Sequence, residues 1–116
     1  MHEASLALNM IEICSAHLAR SGCDRVDCIH LRIGAASGVE PDCLRFAFDA
    51  IKPGTPFEKA ALVVEEVPVK GSCPACGKSI VSKEKEKYIL SCPLCGASGV
   101  LVTEGRELFI TEIDVS

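Results

Sequence analysis

The sequence predicts an α+β fold: a small three-stranded sheet backed by two helices, with a zinc-ribbon-like module inserted ahead of the last strand. Three observations predict it. Two amphipathic helical stripes occupy the first half of the chain, a β-rich run follows each of them, and four cysteines stand as two paired knuckles further on. Elements with one apolar side must bury that side on a partner, and helices laid on a sheet serve all of them at once.

Residues 4–20 open the series as a helix. Ala7, Met10, Ile11, Cys14 and Leu18 recur at the spacing of one buried stripe. Ser21-Gly22 ends it, and Arg20 is well placed in the last turn, at the negative end of the helix dipole. From Arg25 to Ile33 the period becomes two. Asp27, Ile29, Leu31 and Ile33 share one face, whereas Cys28, His30 and Arg32 share the other, which describes a strand covered on one side with Asp27 near its open end. The small-residue turn Gly34-Ala35-Ala36-Ser37-Gly38 leads to a second helix. Pro41 suits its first turn, Asp42 suits its positive end, and Leu44, Ala47, Phe48 and Ile51 form its inner stripe. Lys52-Pro53-Gly54-Thr55-Pro56 stops it. Ala61 to Val69 and Glu107 to Val115 are β-rich and supply the remaining strands.

Between those last two runs stand Cys73-Pro74-Ala75-Cys76-Gly77 and Cys92-Pro93-Leu94-Cys95-Gly96. Two residues inside each pair and fifteen between the pairs is the spacing of a four-thiolate zinc site. Each knuckle turns tightly enough to aim two sulfurs at one point. Four sulfur ligands close the coordination sphere, so the site is structural rather than catalytic; iron in a rubredoxin-like setting is the competing ion. A segment of about 34 residues cannot bury enough apolar surface to fold unaided, so the metal serves as its core. The expected division is therefore residues 1–69 plus 104–116 as one domain and residues 70–103 as the zinc-binding domain.

Charge argues against a nucleic-acid surface. Residues 70–103 carry five lysines against Glu84 and Glu86, a formal +3, which thiolate ligation of a dication would reduce by about two units. The rest carries seven basic and fourteen acidic residues, a formal −7 within a chain of net charge −4. Neither part is built to track phosphates, and Tyr88 is the single tyrosine. A zinc-ribbon module that binds nucleic acid is nonetheless the principal alternative, and a small metalloenzyme a further one. Against the latter, no Gly-rich phosphate loop and no Cys-His or Ser-His motif occurs. No apolar run reaches the length of a membrane span, and Met1-His2-Glu3 opens the chain without the basic and apolar stretches of a signal peptide. Cysteines at metal spacing without an export signal point to a reducing cytoplasm.

The other polar candidates read as ordinary residues. His17 is a partly exposed helix residue, and His30 lies on the less apolar strand face. Cys14 belongs to the core, Cys23 to a turn, and Cys28 and Cys43 are packing or surface thiols. Ser82 to Lys87 alternates charges as a solvated loop or edge. The free thiols and an edge strand allow either a monomer or a strand-exchanged homodimer. At the amino end, an α-amine with the backbone nitrogen and imidazole of His2 can close consecutive chelate rings around Ni²⁺ or Cu²⁺, and Glu3 can add a further donor. On residue types alone, however, a histidine at position 2 is usually incidental. Glu40 reads most simply as a residue near a helix start, from which its carboxylate could reach a metal if the amino terminus folds nearby.

Taken together these pieces resemble the HypA/HybF family of nickel-insertion accessory proteins in [NiFe]-hydrogenase maturation. The resemblance spans the chain: Met1-His2-Glu3 followed by Ser5-Leu6, the Ile33-Gly34 strand end, Pro41-x-x-Leu44-x-Phe46-Ala47-Phe48, the paired knuckles, and Gly105-x-Glu107-Leu108. It implies a nickel metallochaperone, not an enzyme, that carries Ni(II) as cargo and Zn(II) as a structural ion. It implies that nickel is held by Met1 and His2 with Glu3 implicated, and that a carboxylate at Glu40 contributes in some members. It also implies delivery in concert with a HypB-type nickel GTPase to the hydrogenase large subunit, with no nucleic-acid or membrane partner.

Overall fold

In the computed structural model, residues 3–81 and 91–116 are described. The chain forms two compact units. One comprises Met1–Leu31, Val39–Glu65 and Phe109–Ser116; the other comprises Arg32–Gly38 and Glu66–Leu108.

The first unit contains both helices, α1 (Glu3–Ser21) and α2 (Pro41–Ile51), which pack against each other. The buried residues of α1 are Ala7, Met10, Cys14 and Leu18, one stripe as the periodicity requires. Its end is closed by side-chain chemistry: Ser21 Oγ donates to the Leu18 carbonyl at 2.7 Å and accepts the Cys23 amide at 3.1 Å. These bonds satisfy groups that a helix terminus leaves open. His17 is exposed beside Arg20, and Cys14 is fully buried. Burial pushes the Cys14 thiol up to about 11, so it packs as a small apolar group rather than a reactive thiolate. On α2, Leu44 and Phe48 are buried and Ala47 and Ile51 partly so. Lys52 closes the helix with its amide on the Phe48 carbonyl at 3.1 Å, its ammonium 2.8 Å from Asp49 and 5.4 Å above the Phe48 ring. Phe57 and Ala60, in the turns that follow, are buried as well.

Strands β1 (Val26–Gly34), β2 (Ala61–Val67) and β6 (Leu108–Val115) form a three-stranded sheet in the order β2-β1-β6. Alternation along β1 follows the sequence pattern: Ile29, Leu31 and Ile33 are buried, while Cys28, His30 and Arg32 are half-buried. Along β6 the half-buried positions are Leu108 and Ile110, then Ile113 and Val115, so the phase slips by one at Thr111-Glu112. Arg25 and Ser116 exchange both backbone hydrogen bonds, at 3.0 and 3.1 Å, which closes the two chain segments antiparallel.

The single run expected from Ala61 to Val69 is two strands. Pro68 has no N–H to give a ladder, so β2 stops at Val67 and β3 (Lys70–Ser72) begins beyond it. With β4 (Ser79–Val81) and β5 (Leu101–Glu104), β3 forms a second antiparallel sheet, ordered β4-β3-β5, that the sequence pattern did not announce. Lys70 pairs with Glu104 across it at 3.3 Å. The small-residue turn after β1 is explained by close approach. A Cβ on Gly34 would collide with the Gly105 carbonyl, and the amides of Gly34, Ala35 and Ala36 bond the carbonyls of Glu107, Val67 and Gly105 at 2.7, 2.8 and 2.7 Å. Among the described residues, no helix is long and apolar enough to cross a membrane. The expected charged loop at Ser82 to Lys87, and Tyr88, lie outside the described residues.

Candidate metal centre

The knuckles are built from backbone hydrogen bonds first. Gly77 N–H bonds the Cys73 carbonyl at 2.7 Å, and Gly96 N–H bonds the Cys92 carbonyl at 2.8 Å. Each glycine takes positive φ, +72° and +77°, which a side chain would resist and which turns the chain back on itself. The return is fixed by Cys73 N–H on the Lys78 carbonyl at 3.0 Å and Cys92 N–H on the Ala97 carbonyl at 2.8 Å. Two near-identical turns thus present four sulfurs.

Those sulfurs converge. Cys73 Sγ lies 3.5 Å from Cys95 Sγ, Cys76 Sγ lies 3.8 Å from Cys92 Sγ, and all four atoms stand within 4.8 Å of one another. Ligands about 2.3 Å from a tetrahedral zinc ion would be separated by about 3.8 Å, so the donor set fits Zn(II). The cysteines of each knuckle are asymmetric, Cys73 and Cys92 being buried, Cys76 partly buried and Cys95 exposed. Cys73 and Cys92 form an apolar cluster with Ile80, on which Cys76, Ala97 and Val100 pack. That arrangement is the segment's core.

Electrostatics point the same way. The Cys76 amide leads the groups that favour the Cys73 thiolate and lower its pKa. Burial opposes the Cys92 thiolate, but the amides of Cys95 and Leu94 and the neighbouring thiols outweigh it and bring it to about 7. For Cys95 the Ala97 amide favours the thiolate, yet Cys73 and Cys92 override it and push the thiol up to about 12. Four thiolates this close repel one another unless a cation sits among them. A dication removes the conflict and displaces the remaining protons, which makes ion binding a folding event.

The remaining candidates lie at the helix starts. Glu3 is the first residue of α1, and Glu40 caps α2 in an extended conformation, φ −90° and ψ 117°. Glu3 Oε1 accepts the Glu40 N–H at 3.3 Å, so the two acidic positions, 37 residues apart in sequence, are neighbours. The carboxylate of Glu3 thereby lies at the positive end of the α2 dipole. Met1 and His2 lie outside the described residues.

One cluster was not anticipated. Cys28, His30 and Asp114 bring a thiol, an imidazole and a carboxylate within 4.8 Å of one another on the open face of the sheet. The placement of Cys28 and His30 on one strand face was readable from alternation; their meeting with Asp114 depends on β6 lying beside β1, which no local pattern encodes.

A closed thiolate cluster in a small α+β chain defines a metal-handling protein with a structural, zinc-type site. Similarity narrows this further. The family described as "Hydrogenase/urease nickel incorporation, metallochaperone, hypA" matches residues 1–115, and the chain belongs to it. The chain is 41% identical over 115 residues to "Hydrogenase maturation factor HypA" of Geobacter metallireducens, covering 99% of each. It is 39% identical over 114 residues to the protein of the same name from Chloroflexus aggregans, covering 98% of each. Its fold matches the solution structure of the Ni metallochaperone HypA from Helicobacter pylori with a TM-score of 0.65 at 20% identity, over 99% of this chain and 97% of that one. The α+β class, the family resemblance and the pairing of a zinc-type cluster with a nickel-handling family therefore stand as the sequence led us to expect.

Proposed function

We propose that this chain is a cytoplasmic nickel carrier, without catalytic activity of its own, that grips Ni(II) at its amino terminus and delivers it for [NiFe]-hydrogenase maturation. The ligands are the Met1 amine, the backbone nitrogen and imidazole of His2, and carboxylate oxygen from Glu3, with Glu40 in reach. The observation that carries this reading is the Glu3–Glu40 hydrogen bond of 3.3 Å, taken with the family match. That bond brings the start of α1, two residues beyond the terminal amine in sequence, beside the backbone of Glu40. Residues 1–69 with 104–116 serve as the nickel domain, and residues 70–103 as the zinc domain, with Cys73, Cys76, Cys92 and Cys95 as its four ligands.

The division of labour has a chemical reason. A carrier must hold its cargo against stray ligands yet surrender it to a deeper site. A terminal grip of nitrogen and oxygen donors can be approached and stripped ligand by ligand, whereas a closed thiolate cage cannot. Nitrogen and oxygen donors also keep nickel out of the sulfur-selecting site. The recipients are a HypB-type nickel GTPase and the hydrogenase large subunit, and no nucleic acid or membrane takes part.

The test is titration of Ni²⁺ into untagged, zinc-loaded protein beginning at Met1. His2→Ala is expected to abolish the tight nickel isotherm while zinc content and circular dichroism persist. Full nickel affinity in that variant would reject the terminal grip.

A further inference from the structure

The open face of the three-stranded sheet carries a second convergence of metal donors. Cys28 and His30, two apart on β1, stand opposite the buried Ile29 and Leu31. From β6, Asp114 Oδ2 lies 2.9 Å from His30 Nε2, and Glu112 Oε2 lies 3.8 Å from the same nitrogen. Thr111 Oγ1 donates to the His30 carbonyl at 3.3 Å and helps fix the strand segment that carries the imidazole. An imidazole beside a carboxylate is, by itself, an ordinary surface ion pair. What that pair does not account for is the thiol.

Cys28 is held within 4.8 Å of both partners. Burial, then the charges of Asp114 and Glu112, disfavour its thiolate, so two carboxylates face a sulfur they would repel in its ionised form. A cation among these groups turns that repulsion into shared coordination. Thiolate, imidazole and carboxylate together are a borderline donor set suited to Ni²⁺ or Zn²⁺, unlike the oxygen-only sets that hold Ca²⁺ or Mg²⁺. We propose that Cys28, His30 and Asp114 form a second transition-dication site on the exposed sheet face, with Glu112 as an auxiliary carboxylate.

The chemistry of this site differs from that of the four-sulfur cluster. Three protein ligands leave a coordination position open to water or to a donor from another molecule. His30 has 28% of its side chain exposed, Asp114 49% and Glu112 64%, so an ion held there exchanges with its surroundings. Loading requires the Cys28 proton to leave, and one sulfur–metal bond forms in its place. The inference does not depend on the terminal grip, because none of its ligands is shared with it.

The experiment uses full-length, untagged, zinc-loaded protein carrying His2→Ala, titrated with Ni²⁺ and followed by thiolate-to-nickel charge-transfer absorption. We expect one nickel ion to bind per chain with that absorption, more weakly than the tight isotherm that His2→Ala removes. Adding Cys28→Ser should remove the absorption, and Asp114→Asn should keep it but weaken binding by about tenfold or more. Zinc content and circular dichroism should be unchanged throughout. Absence of the absorption in the His2→Ala protein overturns the proposal. So does its persistence after Cys28→Ser, which would put the nickel among the other thiols. If Cys28→Ser disturbs folding, the exposed Asp114 carries the test, and unchanged affinity in Asp114→Asn is the overturning result. Failure of the terminal grip would show separately, as equal nickel uptake with and without His2→Ala.

Discussion

The two compact units of this chain are held by different physics. The first buries Phe48, Phe57, Ile29 and Leu44 essentially completely, from α2, β1 and the turn after α2. The second buries no aromatic side chain among the described residues; Cys73 and Cys92 are among its most enclosed groups, with Ile80 beside them. Burying a large side chain yields about 1.5–3 kcal/mol, whereas a structural zinc ion can contribute about 10–16 kcal/mol at a single point. The lesson is that stability in the first unit is spread over many contacts, while around the knuckles it is concentrated at one. A distributed core tolerates the loss of a member; a concentrated one does not.

The sharpest way to break this comparison is to remove the ion. A strong chelator, or Cys92→Ser, is expected to collapse amide dispersion from residues 71–81 and 91–103, while methyl signals of Leu44 and Leu18 keep their folded positions. If the knuckle amides stay dispersed in metal-free protein, the apolar cluster of Cys73, Ile80 and Cys92 suffices without zinc. A smaller effect is expected in the other unit. Phe48→Ala should cost about 3–5 kcal/mol, measured by urea unfolding, because a fully buried ring is replaced by a cavity. Zinc stoichiometry should be untouched. A loss below about 1 kcal/mol would mean that the site collapses onto Lys52 and its neighbours, and that this core is looser than its burial indicates.

These differences also explain what could be read from the chain. The cysteine cluster was legible because the information is local: two knuckles, each closed within five residues, need only meet once. The stripes Ala7-Met10-Cys14-Leu18 and Leu44-Phe48 were legible because helical period and burial are directly linked. The second sheet was not. Its strands are three or four residues long, too short to establish an alternation, and β3 is composed of Lys70, Gly71 and Ser72. Pro68 was a visible signal that the run from Ala61 should break, and the two-residue period across Val67 and Val69 masked it. Cys28, His30 and Asp114 were illegible as a group for another reason. Residues 28 and 114 meet only because β6 lies beside β1, and pairing between distant strands is set by the whole fold. The Glu3–Glu40 contact belongs to the same category.

The smallest effect sharpens the comparison within the second unit, where one device is independent of the metal. Glu107 Oε1 accepts the Gly105 amide at 2.7 Å and the Arg106 amide at 3.1 Å, holding the tight crossing at Gly34. The Gly105 amide foremost, and the Arg32 charge among the lesser causes, lower the Glu107 pKa from its ordinary value of 4.5. A carboxyl whose folded pKa is depressed contributes stability that is present above the unfolded pKa and lost as pH falls through the folded one. Glu107→Gln should therefore lower the thermal midpoint at neutral pH, and the gap to wild type should close as pH drops below about 4. Zinc is released by acid from both proteins alike, so it cancels in the difference. A gap that stays constant through that range would mean the carboxylate's charge contributes nothing, and that the crossing is held by backbone hydrogen bonds alone.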